Sequence, residues 1–493
     1  MLRSPEEFLA SLRDGRRVVY RGRLVDDVTA HPHLGKGARH VAVDFRLAHA
    51  HPHDDRFTVA DEGTGDRVSR YFHVPRDGTS LLRRRDLIEA VTRAARSFVP
   101  LIKEIGTDAL FALMIVTAQL DRDLRTNFRS RVDAFYRHCR DGDLAMAVAQ
   151  TDAKGDRSRR PSQQPHPDLY VRVVSQDARG IVIRGAKAHT TNAVFSNEIF
   201  VLPTRAMTEA DAAYAVACAV PANAPGLTMV ASPRGFSATS QFDNPLSSRH
   251  SLTESLTIFD DVFVPWERVF LCGQWQYAAM LAKTFVEFHR FTAVSYKTPL
   301  LELLLGAAAL VADCNGLLGV AHVRDKLARM AMYLEAVRGL TTASAVEHRI
   351  VEGIAVPNVR TTNAAKYYFA HGYHEVVRDV QDIAGGLTVT GPAEEDWDAP
   401  EIRALIEPYL MGREGVDGER RLRVMNLIRD LTASDLGGYL EVLAIHAEGS
   451  LQTQKLTVLM DFDLERVCAL AAEAAGLPAT GAADAVGGKG EDR

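Results

Sequence analysis

The run His189-Thr190-Thr191-Asn192 gathers hydrogen-bonding side chains into a short turn between two apolar stretches. Ile181-Val182-Ile183 precedes it as a β-branched strand, and Gly185 breaks that strand where backbone can approach a neighbour closely. Ile199-Phe200-Val201-Leu202 follows as a second strand, stopped by Pro203. Threonine hydroxyls both donate and accept, so the turn suits the edge of a flat ring rich in nitrogen and oxygen, such as a flavin. An ordinary hairpin with a polar loop is the other reading of this segment. A second group stands further on. His289, Tyr296 and Lys297 are spaced to share one face of a helix over two turns. Such side chains can move protons, although a histidine satisfied inside a core is the competing reading of His289.

The elements that must position these groups change character along the chain. Ser4-Pro5-Glu6-Glu7 reads as a capped helix start, and residues 17–26 as a hairpin turning at Gly22. Leu87, Ile88, Val91, Ala94, Ala95 and Phe98 fall at helical spacing until Pro100 interrupts, and two amphipathic helices follow at 109–122 and 127–139. Between residues 149 and 265 the pattern shifts to short strands, at 170–174, 181–184, 199–202, 214–220, 227–230 and 256–259, with Gly, Pro and Asn between them. That texture predicts a mostly antiparallel β domain. Helical patterning returns at 300–316, 321–346, 361–384 and 433–445, enough for a bundle. The expected class is therefore α+β, divided into a mainly helical domain (1–148), a β domain (149–275), a helical bundle (276–475) and a disordered tail (476–493).

Composition narrows the function. A chain of 493 residues exceeds one ordinary core, and 46% hydrophobic with 25% charged residues is globular. A net charge of −5 argues against a nucleic-acid partner. The five cysteines, Cys139, Cys218, Cys272, Cys314 and Cys468, form no CxxC pair, so they announce neither a disulfide framework nor a metal site. No apolar run reaches membrane-spanning length, and the N-terminus lacks a signal-peptide core. The expectation is a cytoplasmic protein with no membrane partner. No GxGxxG stands between a strand and a helix, so no nicotinamide site is expected.

Four motifs occur in order: Thr151-Asp152-Ala153-Lys154-Gly155-Asp156-Arg157, the stretch from Arg184 to Glu198, Phe259-Asp260-Asp261-Val262-Phe263-Val264-Pro265-Trp266-Glu267-Arg268, and Asp382-Ile383-Ala384-Gly385-Gly386-Leu387. Together they resemble the flavoprotein family of 4-hydroxyphenylacetate 3-monooxygenase oxygenase components and 4-hydroxybutyryl-CoA dehydratases, over about residues 5 to 465. The first two motifs and Phe288-His289-Arg290 resemble the dehydratase versions more closely. The resemblance implies an acyl-CoA-dehydrogenase-like fold and an FAD site. Lys154, Gly155 and Arg157 would form a basic turn for the pyrophosphate. Thr190 and Thr191 would face the ring, and the turn His446-Ala447-Glu448-Gly449-Ser450-Leu451-Gln452 would add contacts through Gly449, Ser450 and Gln452. Glu254 matches an active-site glutamate of the dehydratase branch.

The chain departs from both branches where their chemistry is done. The dehydratase's iron–sulfur cluster uses three cysteines and a histidine; the histidine matches His289, but the cysteine positions hold Pro100, Glu104 and Tyr296. Without thiolates such a cluster is not expected, and no other metal is. The hydroxylase's phenol-binding arginine, tyrosine and histidine fall at Pro100, Glu104 and Val148. Glu104 and Val148 are therefore the candidate substrate-facing positions, with a solvent-facing Glu104 as the alternative. The expected activity is that of a reduced-FAD monooxygenase, the oxygenase component of a two-component system. A partner flavin reductase would supply FADH2, and O2 would reach a small organic substrate through a flavin C4a-hydroperoxide. His289, Glu254, Tyr296 and Lys297 are the candidate catalytic residues. The alternative is a cluster-free flavin-dependent dehydratase or isomerase of an acyl-CoA or similar acid, and a third reading is a non-catalytic assembly subunit. By resemblance the chain forms a homotetramer, with a homodimer next.

Overall fold

The Ser4 hydroxyl accepts from the Glu7 N–H while the Glu7 carboxylate accepts from the Ser4 N–H, a reciprocal cap that starts α1 (Pro5–Ser11). The computed structural model describes residues 2–61, 63–233 and 238–477; most of the expected disordered tail, from residue 478, lies outside them. β1 (Val18–Tyr20) and β2 (Arg23–Val25) form the hairpin, turned by Gly22 at φ +76°. α2 (Leu34–Ala50), which the sequence reading does not anticipate, buries most of its side chains. A small hairpin, β3 (Thr58–Ala60) and β4 (Arg67–Ser69), leads to α3 (Gly78–Ala94). The break at Pro100 separates α3 from α4 (Glu104–Leu124), and α5 (Phe128–Asp141) follows.

Eight strands come next: β5 (Met146–Ala149), β6 (Arg172–Gln176), β7 (Gly180–Lys187), β8 (Glu198–Val201), β9 (Val216–Pro221), β10 (Leu227–Ala231), β11 (Ser255–Pro265) and β12 (Val269–Cys272). They build a six-stranded sheet, ordered β2-β1-β10-β11-β7-β6, and a four-stranded sheet, ordered β12-β9-β8-β5. Pairing is antiparallel except β1 with β10 and β5 with β8. Ile181, Ile183, Phe259, Val262 and Val264 of the first sheet share one apolar cluster with Ile199, Val201 and Val220 of the second. The pleat sends alternate side chains to opposite faces, which is why β-branched residues two apart serve this core.

α6 (Ala278–Cys314) begins well before the 300–316 stretch where the sequence pattern is clearest. It passes through Pro299, which removes one helical hydrogen bond at a cost of about 3 kcal/mol; contacts with α3 and α4 help offset that cost. By length and composition the segment Trp275–Cys314 could cross a membrane, contrary to the sequence expectation, but 67% of its most apolar window is buried inside the protein. α7 (Ala321–Val346), the hairpin β13 (Arg349–Val351) and β14 (Ile354–Val356), and α8 (Val359–Ala384) continue the chain. Leu304, Val311, Val337, Tyr373 and Val380 join α6, α7 and α8 in one core. Three short helices, α9 (Leu387–Thr390), α10 (Glu394–Asp398) and α11 (Pro400–Leu410), precede α12 (Gly418–Thr432), α13 (Asp435–His446), α14 (Leu451–Asp461) and α15 (Leu464–Ala474).

Candidate active site

Two turns leave the sheet from one point. Asp152 bridges to Lys187 at the end of β7, the two pair at 2.7 Å with side chains only 3% and 2% exposed, and the Ala188 N–H donates to Thr151 O at 2.8 Å. The basic turn after Asp152 and the hydroxyl-rich turn after Ala188 therefore start side by side. Lys154 and Gly155 have φ of +71° and +56°. A Cβ on Gly155 would stand 2.4 Å from the end of the Leu169 side chain, so any other residue there would push Leu169 aside as well as strain the backbone. Thr190 exchanges backbone bonds with Ser255 at 3.0 and 3.2 Å; its side chain is fully buried, and its hydroxyl has no partner among the described residues. Asn192, at φ +53°, holds the turn down: its amide donates to Pro100 O at 2.5 Å and accepts from the Thr253 N–H at 3.0 Å.

Thr191 Oγ1 lies 2.9 and 3.0 Å from the two carboxyl oxygens of Glu254, and the Tyr439 hydroxyl on α13 donates to the same carboxyl at 2.9 Å. Burial pushes the Glu254 carboxyl up to about 7, further than these two donors pull it down. A second carboxylate, Glu448, lies in the turn between α13 and α14, and its side chain is only 2% exposed. Lys297 Nζ approaches it at 2.6 Å, Lys366 Nζ of α8 at 3.6 Å, and the Tyr296 hydroxyl donates to it. Burial alone would raise Glu448, but the Lys297 cation first, and Lys366 after it, outweigh it and hold the carboxylate at about 2. Lys366 is brought down to about 7 by burial and by the Lys297 cation. Arg290 fixes the turn itself, donating from Nε to Glu448 O at 2.9 Å and from Nη1 to Asn363 at 2.6 Å. His289, one position before Arg290, turns Nδ1 toward Asp108 of α4 at 3.3 Å.

Residues 4–271 match the family described as 4-hydroxyphenylacetate 3-hydroxylase N terminal, and residues 278–476 match 4-hydroxyphenylacetate 3-hydroxylase C terminal. The chain belongs to the 4-hydroxyphenylacetate 3-hydroxylase family. It is 30% identical over 493 residues to 4-hydroxybutyryl-CoA dehydratase/vinylacetyl-CoA-Delta-isomerase of Clostridium aminobutyricum, covering 97% of this chain and 100% of that protein. To the 4-hydroxyphenylacetate 3-monooxygenase oxygenase component of Thermus thermophilus it is 31% identical over 446 residues, 90% of this chain and 91% of the other. Among solved structures, the oxygenase component of 4-hydroxyphenylacetate 3-monooxygenase complexed with FAD and 4-hydroxyphenylacetate superposes with a TM-score of 0.88 at 29% identity, over 96% of this chain and 99% of that one.

For this member of the 4-hydroxyphenylacetate 3-hydroxylase family, the structure sorts the sequence candidates. Thr191 with Glu254, and Tyr296 with Lys297, are brought into shared clusters, while the polar partner of His289 is Asp108. Gly449 has φ +102°, and a Cβ there would meet Arg290 Nη2 at 2.8 Å. Ser450 caps α14, and Gln452 and Arg157 are exposed. Glu104 does not face solvent: at 1% exposure its carboxylate turns back to accept from the backbone N–H groups of Leu101, Ile102 and Lys103. These bonds tie the loop that leads into α4 to the first residue of the helix. Val148 pairs in β5 with Phe200 and packs in the core. Neither is drawn into the clusters above, because backbone bonding claims one and apolar packing the other. The sequence reading missed Asp108, Tyr439, Lys366 and the role of Glu448. Glu448 lay inside a quoted motif, and Lys366 interrupts a buried helical face between Thr362 and Phe369, which was a usable signal.

Proposed function

We propose that the chain is the oxygenase component of a two-component flavin-dependent monooxygenase, taking reduced FAD from a separate reductase and hydroxylating a small organic substrate. The carrying observation is the paired turns: a fully buried Thr190 hydroxyl, with no partner among the described residues, stands beside a basic, glycine-containing turn. A buried hydroxyl left unbonded costs about 1–3 kcal/mol, and a ring heteroatom would remove that cost. Lys154, Gly155 and Arg157 would hold the pyrophosphate, Thr190 and Thr191 the ring edge, and Gly449, Ser450 and Gln452 the far side. Bound reduced FAD supplies the electrons with which O2 is split between substrate and water.

The residues then have separate tasks. Glu254 keeps a carboxyl proton near neutral pH beside Thr191, so it can donate or accept at the substrate. His289 offers its second ring nitrogen for the same purpose. Tyr296 and Lys297 hold Glu448 ionised and immobile, as one half of a buried ion pair. At the positions where cluster-bearing relatives hold thiolates, Pro100, Glu104 and Tyr296 offer no sulfur, and Glu104 and Tyr296 are already bonded. That donor set does not fit an iron–sulfur cluster. A three-part layout of the acyl-CoA-dehydrogenase type, 1–148, 149–275 and 276–475, belongs to this reading, as does a homotetramer. The two sheets and the helices flanking them support it.

A second reading, a cluster-free dehydratase or isomerase, is favoured by the proton-holding Glu254 and by the similarity to the Clostridium enzyme. One experiment separates the two. Protein with anaerobically reduced FAD is mixed with isotopically heavy O2 and a panel of phenols and amines, and the products are weighed. Label appearing in product only when flavin is reduced is the expected result. Anaerobic conversion of a CoA thioester without reductant would establish the second reading, and failure to bind FAD in either redox state would sink both.

A further inference from the structure

Asp108 lies in the interior of α4 with no exposed surface, yet its two oxygens are divided between different tasks. Oδ1 accepts from Arg84 Nη2 of α3 at 2.7 Å and from Thr292 Oγ1 of α6 at 3.0 Å. Oδ2 faces His289 Nδ1 at 3.3 Å. The Arg84 guanidinium cannot swing away to follow the carboxylate. It also donates to Glu104 O at 2.8 Å and Thr107 Oγ1 at 2.9 Å, and lies over the Phe111 ring at 5.3 Å. On the other side the imidazole stacks on Phe285, with centroids 5.3 Å apart and planes 13° apart. Ring plane, ring position and one ring nitrogen are all set by the protein.

We propose that Asp108 is a positioning residue, which holds His289 in the Nδ1–H tautomer and turns its unprotonated Nε2 away from α4 and toward the substrate side of the site. A carboxylate accepts only, so the hydrogen in the bond belongs to Nδ1, and in the neutral ring the lone pair is then on Nε2. This division of labour explains why the carboxylate is gripped by Arg84 and Thr292 on one oxygen alone. The inference rests on the reading above in which His289 takes the substrate's proton, and it adds the residue that makes that nitrogen available.

The test is neutron diffraction from crystals of the full-length protein exchanged into D2O at mildly alkaline pH. The unaltered protein is expected to carry one deuteron, on Nδ1 of His289. In Asp108→Asn the donors Arg84 and Thr292 retain the amide oxygen, so the amide nitrogen faces Nδ1 and donates to it; the deuteron should move to Nε2. Turnover should then fall about 100-fold or more, within the range of a general acid–base contribution, while KM and FAD affinity stay within about twofold of the unaltered protein. Thr292→Val, which keeps the carboxylate, should leave the deuteron on Nδ1. A deuteron on Nε2 or on both nitrogens of the unaltered protein overturns the proposal, whether or not the variant folds, and so does a deuteron on Nδ1 in both proteins. If the deuteron moves and turnover does not fall, the positioning stands and the role given to His289 is lost.

Discussion

Glu254 shows how one residue's surroundings set what it can do. Its carboxyl is shielded by the turn carrying Thr191 and by Tyr439, and burial raises it to about 7 against an ordinary value of 4.5. A raised acid favours the native state below its unfolded pKa, and that contribution is lost as pH climbs through the folded pKa. Between about 4.5 and 7 the native protein therefore binds more protons here than the unfolded chain. Glu254→Gln keeps shape and donor capacity but removes the titration. Its melting temperature relative to the unaltered protein should accordingly rise across that window and level off above it. Parallel melts at several pH values read this directly, and a constant difference from pH 4.5 to pH 8 would remove Glu254 as the buried acid. Turnover of the variant should drop at least tenfold if the carboxyl handles a substrate proton.

At the scale of elements, the two turns beside β7 matter more than either strand. Asn192 is the pin, because asparagine tolerates the left-handed conformation at φ +53° and its amide serves both Pro100 O and the Thr253 N–H. Asn192→Ala removes both bonds and strains the backbone. It should cost about 2–4 kcal/mol from two buried groups left unpaired, read by urea unfolding, and it should weaken FAD binding at least tenfold in a fluorescence titration. Unchanged stability would show that the turn holds itself. The turn was legible in the sequence because strand, glycine, polar run and strand are local signals, each decided within a few residues. Glu254, His289, Tyr296 and Lys297 were legible through motif and helical spacing. Asp108 and Tyr439 were not, since each acquires its meaning only from a partner 181 or 185 positions away in the chain. Glu104 misled for the same reason. A carboxylate at a helix start looks exposed by spacing, and only the fold shows that its own loop closes over it.

At the scale of the whole molecule, apolar side chains reach solvent on the late helices: Tyr409 on α11 is 82% exposed, Met460 on α14 is 84% exposed, and Leu456 lies on the same helix. Single exposed apolar residues need no explanation, but a recurring set on α11 and α14 points to a surface covered by another chain. α14 starts from Ser450, immediately after the turn that carries Glu448 and Gly449. A copy seated on α14 would thus lie against one wall of the candidate active site and help exclude water from it. Light scattering on the purified protein should give the mass of a homotetramer. The double change Leu456→Glu and Met460→Glu places two charges at that surface, where desolvating them is costly. It should shift the population to smaller species and lower FAD affinity with it, while the secondary structure seen by circular dichroism persists. A monomeric unaltered protein would defeat the assembly. A tetramer untouched by both charges would move the interface elsewhere and free α14 from any part in closing the site.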